Sequence, residues 1–273
     1  MAANPEATFI EQWNDEALQE FQQMKSLVWD TVTTRQKRGK SLHVPVWGAS
    51  EANVGRTRHQ QLTISAQNST EVEIIPELVY KMFFIDDFDQ AKTDYDYRRD
   101  LSVQAAAAVW RGYDDVVIAA LNASTNSETT LPTANTFNYA GAEVMAKSLD
   151  QQEVFEQGRF GLISSGAKQD LRTDTVYINN FHAPNSTVQK GMMTDVAGLD
   201  LVTTQRLPNG GAGATERRVF VYQKSAVVVH INSPFRLSVD WENDYQSWSL
   251  VASIGVGCEI VQQQGVQWAD VTE

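Results

Sequence analysis

The strongest constraint on the fold lies near the C-terminus, where apolar and polar residues alternate through two consecutive segments. The apolar positions are Phe235, Leu237, Val239 and Trp241 in the first segment and Trp248, Leu250, Ala252, Ile254 and Val256 in the second. A period of two places successive side chains on opposite faces of a strand. Because the turn-forming residues 242–244 separate the segments, the pattern predicts an antiparallel strand pair with one buried face.

A helix is predicted to cover that face. Residues from about Tyr97 to Leu121 include four consecutive alanines at positions 105 to 108, and alanine has the highest helix propensity. One apolar stripe runs through Val103, Ala107, Trp110, Val117 and Leu121. Because an apolar sheet face and an apolar helix stripe each need a partner, the sequence predicts an α+β fold in which this helix packs across the strand pair.

Other elements are predicted on both sides of this core. An N-terminal amphipathic helix should follow residues 4–6, with its apolar stripe at Phe9, Trp13, Ala17, Phe21, Met24 and Val28. A shorter helix is predicted near residues 141–156, followed by a strand at 160–163. Short strands broken by glycine and proline follow, up to the glycine-rich run at 209–213. These elements indicate a second, mixed lobe.

Residues 35–67 predict a long hairpin with little apolar area. Apolar residues alternate on both arms, at Leu42, Val44 and Val46 on one and at Leu62 and Ile64 on the other. Positive charge is concentrated here, at Arg35, Lys37, Arg38, Lys40, Arg56 and Arg58. The segment is either a solvated loop or an arm that lies on an acidic surface. We favour the arm, because a long hairpin without its own core is marginal in isolation.

The segment from Val72 to Ile85 has hydrophobic residues at both odd and even positions. This pattern predicts a strand that other elements cover on both faces. Pro76 lacks a backbone N–H, so a bulge or a sheet edge is expected there. Acidic residues then precede the alanine-rich helix, at Asp86, Asp87, Asp89, Asp94 and Asp96, where negative charge complements the positive end of the helix dipole.

Composition and charge exclude several classes of protein. The 273 residues are 42% hydrophobic and 21% charged, which is enough for one large core or two modest ones. No stretch approaches the roughly 20 apolar residues of a membrane-spanning helix, so we expect a soluble, intracellular protein. A formal net charge of −12 argues against direct coating of nucleic acid. The single cysteine, Cys258, lies in an apolar segment and is expected to be a buried structural thiol.

No catalytic or metal-binding constellation is expected. The histidines, His43, His59, His182 and His230, are not spaced as metal ligands. The run at 209–213 is not followed by the Lys-Ser/Thr of a phosphate-binding loop, and the acids at 86–89 lack the glycine and glutamate of a calcium loop. We therefore expect no enzymatic activity, no cofactor and no metal.

Four blocks in this order resemble the major capsid proteins of tailed bacteriophages. They are Gly39–Val46, the stretch from Phe84 to Arg98, Gly191–Thr204 with the following Leu207-Pro208, and Gln223–Val227. The first resembles the start of the family's extended hairpin, or E-loop, and the second the strand and spine helix of its peripheral domain. The third is similar to the axial-domain signature. The fourth resembles a "His-Lys-Ser-Ala" strand, with Gln223 in place of histidine.

The resemblance implies an α+β tailed-phage capsid fold with four parts. These are an N-terminal arm (1–34), the E-loop hairpin (35–70), a peripheral domain with the spine helix on an antiparallel sheet (71–165 and 236–254), and a mixed α/β axial domain (166–235 and 255–273). The implied function is a major capsid protein that self-assembles into hexamers and pentamers of an icosahedral shell. That shell would enclose double-stranded DNA without sequence-specific binding.

The resemblance also implies partners and a location. Beyond identical subunits, the expected partners are portal, scaffold and decoration proteins, with no membrane. The protein would assemble in the host cytoplasm and belong to the virion. The candidate intersubunit contact residues are the cations Arg35, Lys37, Arg38, Lys40, Arg56 and Arg58 and the acids Asp86, Asp87 and Asp89. Some relatives join subunits covalently through Lys and Asn, but we assign no such crosslink to Lys40.

Two alternatives stay open from the sequence. An encapsulin-like nanocompartment shell shares the fold but encloses enzymes. A β-rich carbohydrate-binding or hydrolase domain is suggested by the seven tryptophans. Trp241 and Trp248 occupy alternation positions that predict burial, however, whereas sugar-binding platforms need exposed rings.

Overall fold

The protein has an α+β fold in the computed structural model, which describes residues 22–59, 61, 62, 64, 66–88, 97–126, 131, 132, 135–174, 195–210 and 216–272. The helices of the described part are α1 (Tyr97–Asn122), α2 (Tyr139–Gln151) and α3 (Ser165–Thr173). The sequence predicted α1 and α2, although α2 ends at Gln151 rather than near 156. It did not predict α3, a short helix that begins where the Ser164 side chain accepts the Ala167 N–H.

The described strands form three sheets. In chain order they are β1 (Thr33–Gln36), β2 (Leu42–Trp47), β3 (Ser69–Ile74), β4 (Glu77–Asp86), β5 (Arg159–Ile163), β6 (Asp195–Val196), β7 (Leu199–Thr203), β8 (Glu216–Gln223), β9 (Val227–Glu242), β10 (Ser247–Ile260) and β11 (Val266–Thr272). The sheet orders are β1-β9-β10-β4, β11-β8-β5-β7-β6 and β2-β3. The β1–β9 and β5–β7 pairs are parallel, whereas β2–β3, β5–β8, β6–β7 and β8–β11 are antiparallel.

The chain divides into two compact units. The first contains Tyr80–Arg111 and Phe235–Ser253, together with the described residues before Ser26. The second contains Ser26–Val79, Gly112–Pro234 and Ile254–Glu273. Residues 89–96 and 175–194 lie outside the described part, and they include residues 191–194 at the start of the third block.

In the first unit, helix α1 packs on the strand pair as the sequence predicted. The Trp110 and Phe235 rings stack with centroids 5.5 Å apart. The Arg98 guanidinium lies over the Trp248 ring at 5.5 Å from its centroid, a favourable cation–π geometry. The turn at 243–246 joins β9 to β10, so the predicted antiparallel hairpin is confirmed.

The predicted burial pattern of this strand pair is only partly correct. Strand β10 lies between β9 and β4 and is buried on both faces, since Ser247 and Ser249 are as buried as Leu250. Strand β1 pairs only with Val228–Ile231 of β9, which leaves the far half of β9 at a sheet edge. Trp241 is therefore 39% exposed rather than buried, and Trp248 is half-buried.

The predicted N-terminal helix does not extend through the described residues 22–28; residues 1–21 lie outside the described part. The Ser26 hydroxyl accepts the Trp29 N–H at 3.0 Å, and such local bonds compete with helix formation. It also donates to the buried carboxylate of Asp114, which accepts the Leu27 N–H as well. These bonds fix the segment to helix α1 within the second unit.

Cys258 lies in β10 and is 8% exposed, so the predicted burial is confirmed. Burial raises the pKa of the thiol, and the neighbouring Glu259 carboxylate raises it further. Since the thiolate is the reactive form, we expect Cys258 to resist a thiol reagent such as Ellman's in the native protein at pH 8. Reaction of one thiol per chain should appear only in urea. A rapid reaction without denaturant would contradict this assignment.

Candidate subunit interface

The hairpin predicted for residues 35–67 is present, but its second arm is different. Strand β2 pairs with β3 in the register from Leu42 opposite Ile74 to Trp47 opposite Ser69, and the Gly48 N–H donates to the Asn68 carbonyl at 3.0 Å. The sequence placed the second arm around Leu62 and Ile64, which is wrong. Those side chains are 71% and 88% exposed, because the apolar partners for β2 lie in β3.

The hairpin has two parts of different character. At its base, Leu42, Val44 and Ile74 form a buried cluster with Val228 of β9. Its tip, which we define as residues 48–68, lies beyond the paired strands, and Val54 there is 95% exposed. The base therefore belongs to the core of the second unit, whereas the described residues of the tip are all exposed.

The structure separates the six predicted hairpin cations into two groups, and all six are exposed. Arg35 lies in β1, where it pairs with His230, and Lys37, Arg38 and Lys40 follow it before β2. Arg56 and Arg58 lie in the tip. The six residues of β2 span about 20 Å at about 3.3 Å per residue, so the root and tip cations form two patches rather than one.

Two of the three predicted acids lie together. Asp86 ends strand β4, and its carboxylate accepts the Phe88 N–H at 2.8 Å. Asp87 follows it, and its N–H donates to the Gln246 carbonyl at 3.4 Å. Both side chains are exposed. Asp89 lies outside the described residues.

An exposed apolar surface adjoins these acids in the first unit. We call it the β4 face; its members are Tyr80, Met82, Phe84, Phe88 and Tyr245, with exposures of 64%, 38%, 54%, 70% and 70%. The Phe84 and Tyr245 rings contact each other, with centroids 5.7 Å apart. Contiguous exposed apolar surface of this kind marks an interaction site.

The expectation that both faces of residues 72–85 are covered is therefore wrong for a single chain. The strand is interrupted at Ile75 and Pro76, and β4 lies at the edge of its sheet, as the proline predicted. Among the odd-numbered residues Ile85 is buried and Val79 and Phe83 are half-buried, whereas all the even-numbered residues of the strand are exposed. The described part of the chain therefore leaves the apolar residues on the even-numbered side uncovered.

One charged cluster in the hairpin was not predicted. His43 of β2 lies between Glu71 and Glu73 of β3, with Nδ1 3.1 Å from Glu71 Oε1 and Nε2 3.7 Å from Glu73 Oε1. The sequence does carry a signal, because Glu71 and Glu73 are two apart and so share one face of a strand. The two carboxylates approach opposite ring nitrogens, so the contacts join the two strands of the hairpin.

The described residues contain no group of three or more His, Cys, Asp or Glu side chains arranged to hold a metal ion. None of the described helices is both long enough and apolar enough to cross a membrane. Two exposed features of the described surface stand out, namely the apolar β4 face and the cationic hairpin tip.

Comparison with known proteins identifies the family. Residues 6–273 match the family described as phage capsid protein, whereas no curated protein matches the sequence. The capsid of cyanophage P-SCSP1u is similar in structure, with a TM-score of 0.79 and 22% identity over 100% of this chain and 96% of that one. A structure from Mycobacterium phage Che8 has a TM-score of 0.78 and 16% identity, over 96% and 97%.

A third similar structure is the capsid asymmetric unit of cyanophage Pam1, with a TM-score of 0.78 and 13% identity over 97% of each chain. The predicted capsid fold and the predicted family are confirmed, and the carbohydrate-binding alternative is wrong. The family match covers all the described strands and helices, including the β4 face and the hairpin. The chain belongs to the phage capsid protein family.

Proposed function

We propose that this protein is the major subunit of an icosahedral shell, in which the hairpin tip of one copy docks on the β4 face of another. The observation that carries the proposal is the β4 face itself. It exposes four aromatic side chains and one methionine beside the carboxylates of Asp86 and Asp87. The hairpin tip offers the complement, namely exposed Val54, Leu62 and Ile64 together with two arginines.

The two kinds of contact have different energies. Burying an exposed large apolar side chain contributes about 1.5–3 kcal/mol, whereas an exposed ion pair contributes about 0–1 kcal/mol. Apolar contacts on the β4 face therefore supply most of the affinity. The pairs between hairpin cations and Asp86 or Asp87 set the register of docking, and repetition over a closed shell multiplies a modest contact.

The proposal extends to the finer organisation of the particle. The subunits form hexamers and pentamers around double-stranded DNA, and portal, scaffold and decoration proteins complete the particle in the host cytoplasm. The chain then consists of an arm (1–34), an E-loop (35–70), a peripheral domain (71–165 and 236–254) and an axial domain (166–235 and 255–273). A net charge of −12 supports enclosure of DNA rather than tight binding to it. The role is structural and not catalytic.

A charge-exchange experiment tests the proposed contact. The double change Asp86→Lys and Asp87→Lys should weaken each contact by about 1–2 kcal/mol, roughly tenfold in its equilibrium constant, because attraction becomes repulsion. Adding Arg56→Glu and Arg58→Glu should restore assembly. Sedimentation velocity of the purified protein measures the shell fraction.

A matched control changes the exposed pair Asp195 and Asp200 to lysine, with the same change in net charge. These two residues lie opposite each other in β6 and β7. Neither strand belongs to the proposed contact. The proposal is contradicted if the control and the Asp86/Asp87 variant lose shells equally, or if the tip exchange gives no rescue.

A further inference from the structure

The loop between α2 and β5, residues 152–158, holds one large apolar side chain away from the core. Phe155 is 78% exposed. We propose that this loop, the Phe155 loop, is a preformed contact for a second copy of this chain. The inference rests on the proposed shell function but concerns residues other than those of the hairpin tip and the β4 face.

The loop is fixed at both ends by backbone hydrogen bonds. At its start, the Val154 N–H donates to the Leu149 carbonyl at 3.1 Å, and the Glu153 N–H donates to the Asp150 carbonyl at 2.9 Å. At its end, the Gly158 carbonyl accepts the Lys224 N–H at 2.9 Å. The loop therefore has a defined backbone without any help from the Phe155 side chain.

Arg159 fixes the centre of the loop. This arginine is buried, at 5% exposure, and its Nε donates to the Phe155 carbonyl at 3.0 Å. Its Nη2 donates to the Val154 carbonyl at 2.6 Å and lies 2.7 Å from Asp150 Oδ1. Since a buried guanidinium needs fixed acceptors, the contacts hold the backbone of Phe155 in one position.

The turn does not require an aromatic residue at this place. Its left-handed backbone positions are Glu153, with φ of 55°, and Gly158, with φ of 74°. Phe155 is neither of these, and its ring gains little burial within the chain. A large side chain held outward on a preorganised loop loses little conformational freedom on binding, which is the property of an interface anchor.

The geometry and charge of the loop select the class of partner. A projecting side chain cannot enclose a small ligand, which needs a concave site. The exposed carboxylates Glu153 and Glu156 stand on either side of Phe155 and would repel the phosphates of nucleic acid. A protein surface remains, and a capsid subunit meets identical copies in every ring, where one patch contacts a different patch of the next copy.

Photocrosslinking identifies the partner directly. With p-benzoylphenylalanine in place of Phe155, illumination of assembled protein should join subunits into a ladder of dimers and larger multimers, as denaturing gels resolve them. The same protein kept unassembled should give monomers only. Assembled protein that yields only monomers, or a product with a protein of another mass, overturns the inference.

Substitutions supply the second arm of the test. Phe155→Ser should lower the assembled fraction by about tenfold at fixed protein concentration. The unfolding midpoint of the unassembled subunit should not change. Phe155→Leu should assemble close to the original level. Normal assembly of Phe155→Ser, beside lost assembly in the charge-reversed Asp86/Asp87 variant, overturns this inference and leaves the proposed function standing. Failure of the unmodified protein to form any large assembly overturns both.

Discussion

Replacement of residues 49–67 by an Asn-Gly turn is expected to leave a folded subunit that forms no shells. Gly48 and Asn68 face each other across the hairpin, joined by a hydrogen bond of 3.0 Å. A two-residue type I′ turn closes an antiparallel pair at such a position. The shortened protein therefore retains β2, β3 and the buried base at Leu42, Val44 and Ile74, while it loses the proposed docking segment.

The measurement combines two readouts on the same preparation. Urea unfolding should give the same midpoint as the full chain, because the described residues among those removed are exposed and contribute little to the core. Sedimentation velocity and negative-stain microscopy should show no shells under conditions in which the full chain assembles. A length-preserving variant, with Val54, Leu62 and Ile64 changed to serine, serves as the control for loop length and should assemble poorly. Regular shells from the shortened chain would refute the role of the tip.

Gly257→Ala is expected to destabilise the subunit by about 3 kcal/mol, at the upper end of the cost of overpacking. A Cβ at this position would lie 2.5 Å from the Ile75 carbonyl oxygen and 2.9 Å from Pro76 Cα. Both are backbone atoms of the link between β3 and β4, so rotation of a side chain cannot relieve the clash. The link itself must move away from β10.

Gly255→Ala is the matched control, two residues earlier on the same face of β10. Its Cβ would meet the side-chain oxygen of Asn232 and not backbone. Because a side chain can change rotamer, we expect a loss of only about 1 kcal/mol. Urea unfolding of both variants measures the difference in the free energy of unfolding. Equal losses would show that the β3–β4 link moves as easily as the Asn232 side chain.

The parts of the fold that the sequence predicted are those with local causes. Helix α1 follows from its alanines and its apolar stripe, and the β9–β10 hairpin from its alternation and its turn. The prediction of the second arm was wrong because β2 pairs with β3, whose Ile74 is buried with Val228 of β9, and the periodicity around Leu62 and Ile64 does not show this. Alternation of apolar and polar residues predicts which face of a strand is buried. It does not predict which distant residue packs against that face.

The candidate interface was predictable to a smaller extent. The charges of the hairpin and of Asp86 and Asp87 were evident, but the separation of the cations into root and tip patches depends on the length of β2. The exposure of Tyr80 and Phe84 could not be inferred, since apolar residues on both parities predict cover without distinguishing cover by the same chain from cover by another. No sequence pattern predicted the exposure of Phe155, because it depends on the hydrogen bonds from Arg159 to the loop carbonyls.

The parallel pairing of β1 with β9 has a consequence for biosynthesis. Arg35 and His230, which face each other in this pair, are 195 positions apart in the chain. A ribosome therefore synthesises β1 and the hairpin long before it synthesises β9, the strand on which they pack. Until Val228 is synthesised, Leu42, Val44 and Ile74 lack the residue that completes their buried cluster. Chains that terminate before β9 should therefore expose these apolar side chains, aggregate and assemble poorly. The base of the hairpin can therefore be completed only after β9 has been synthesised.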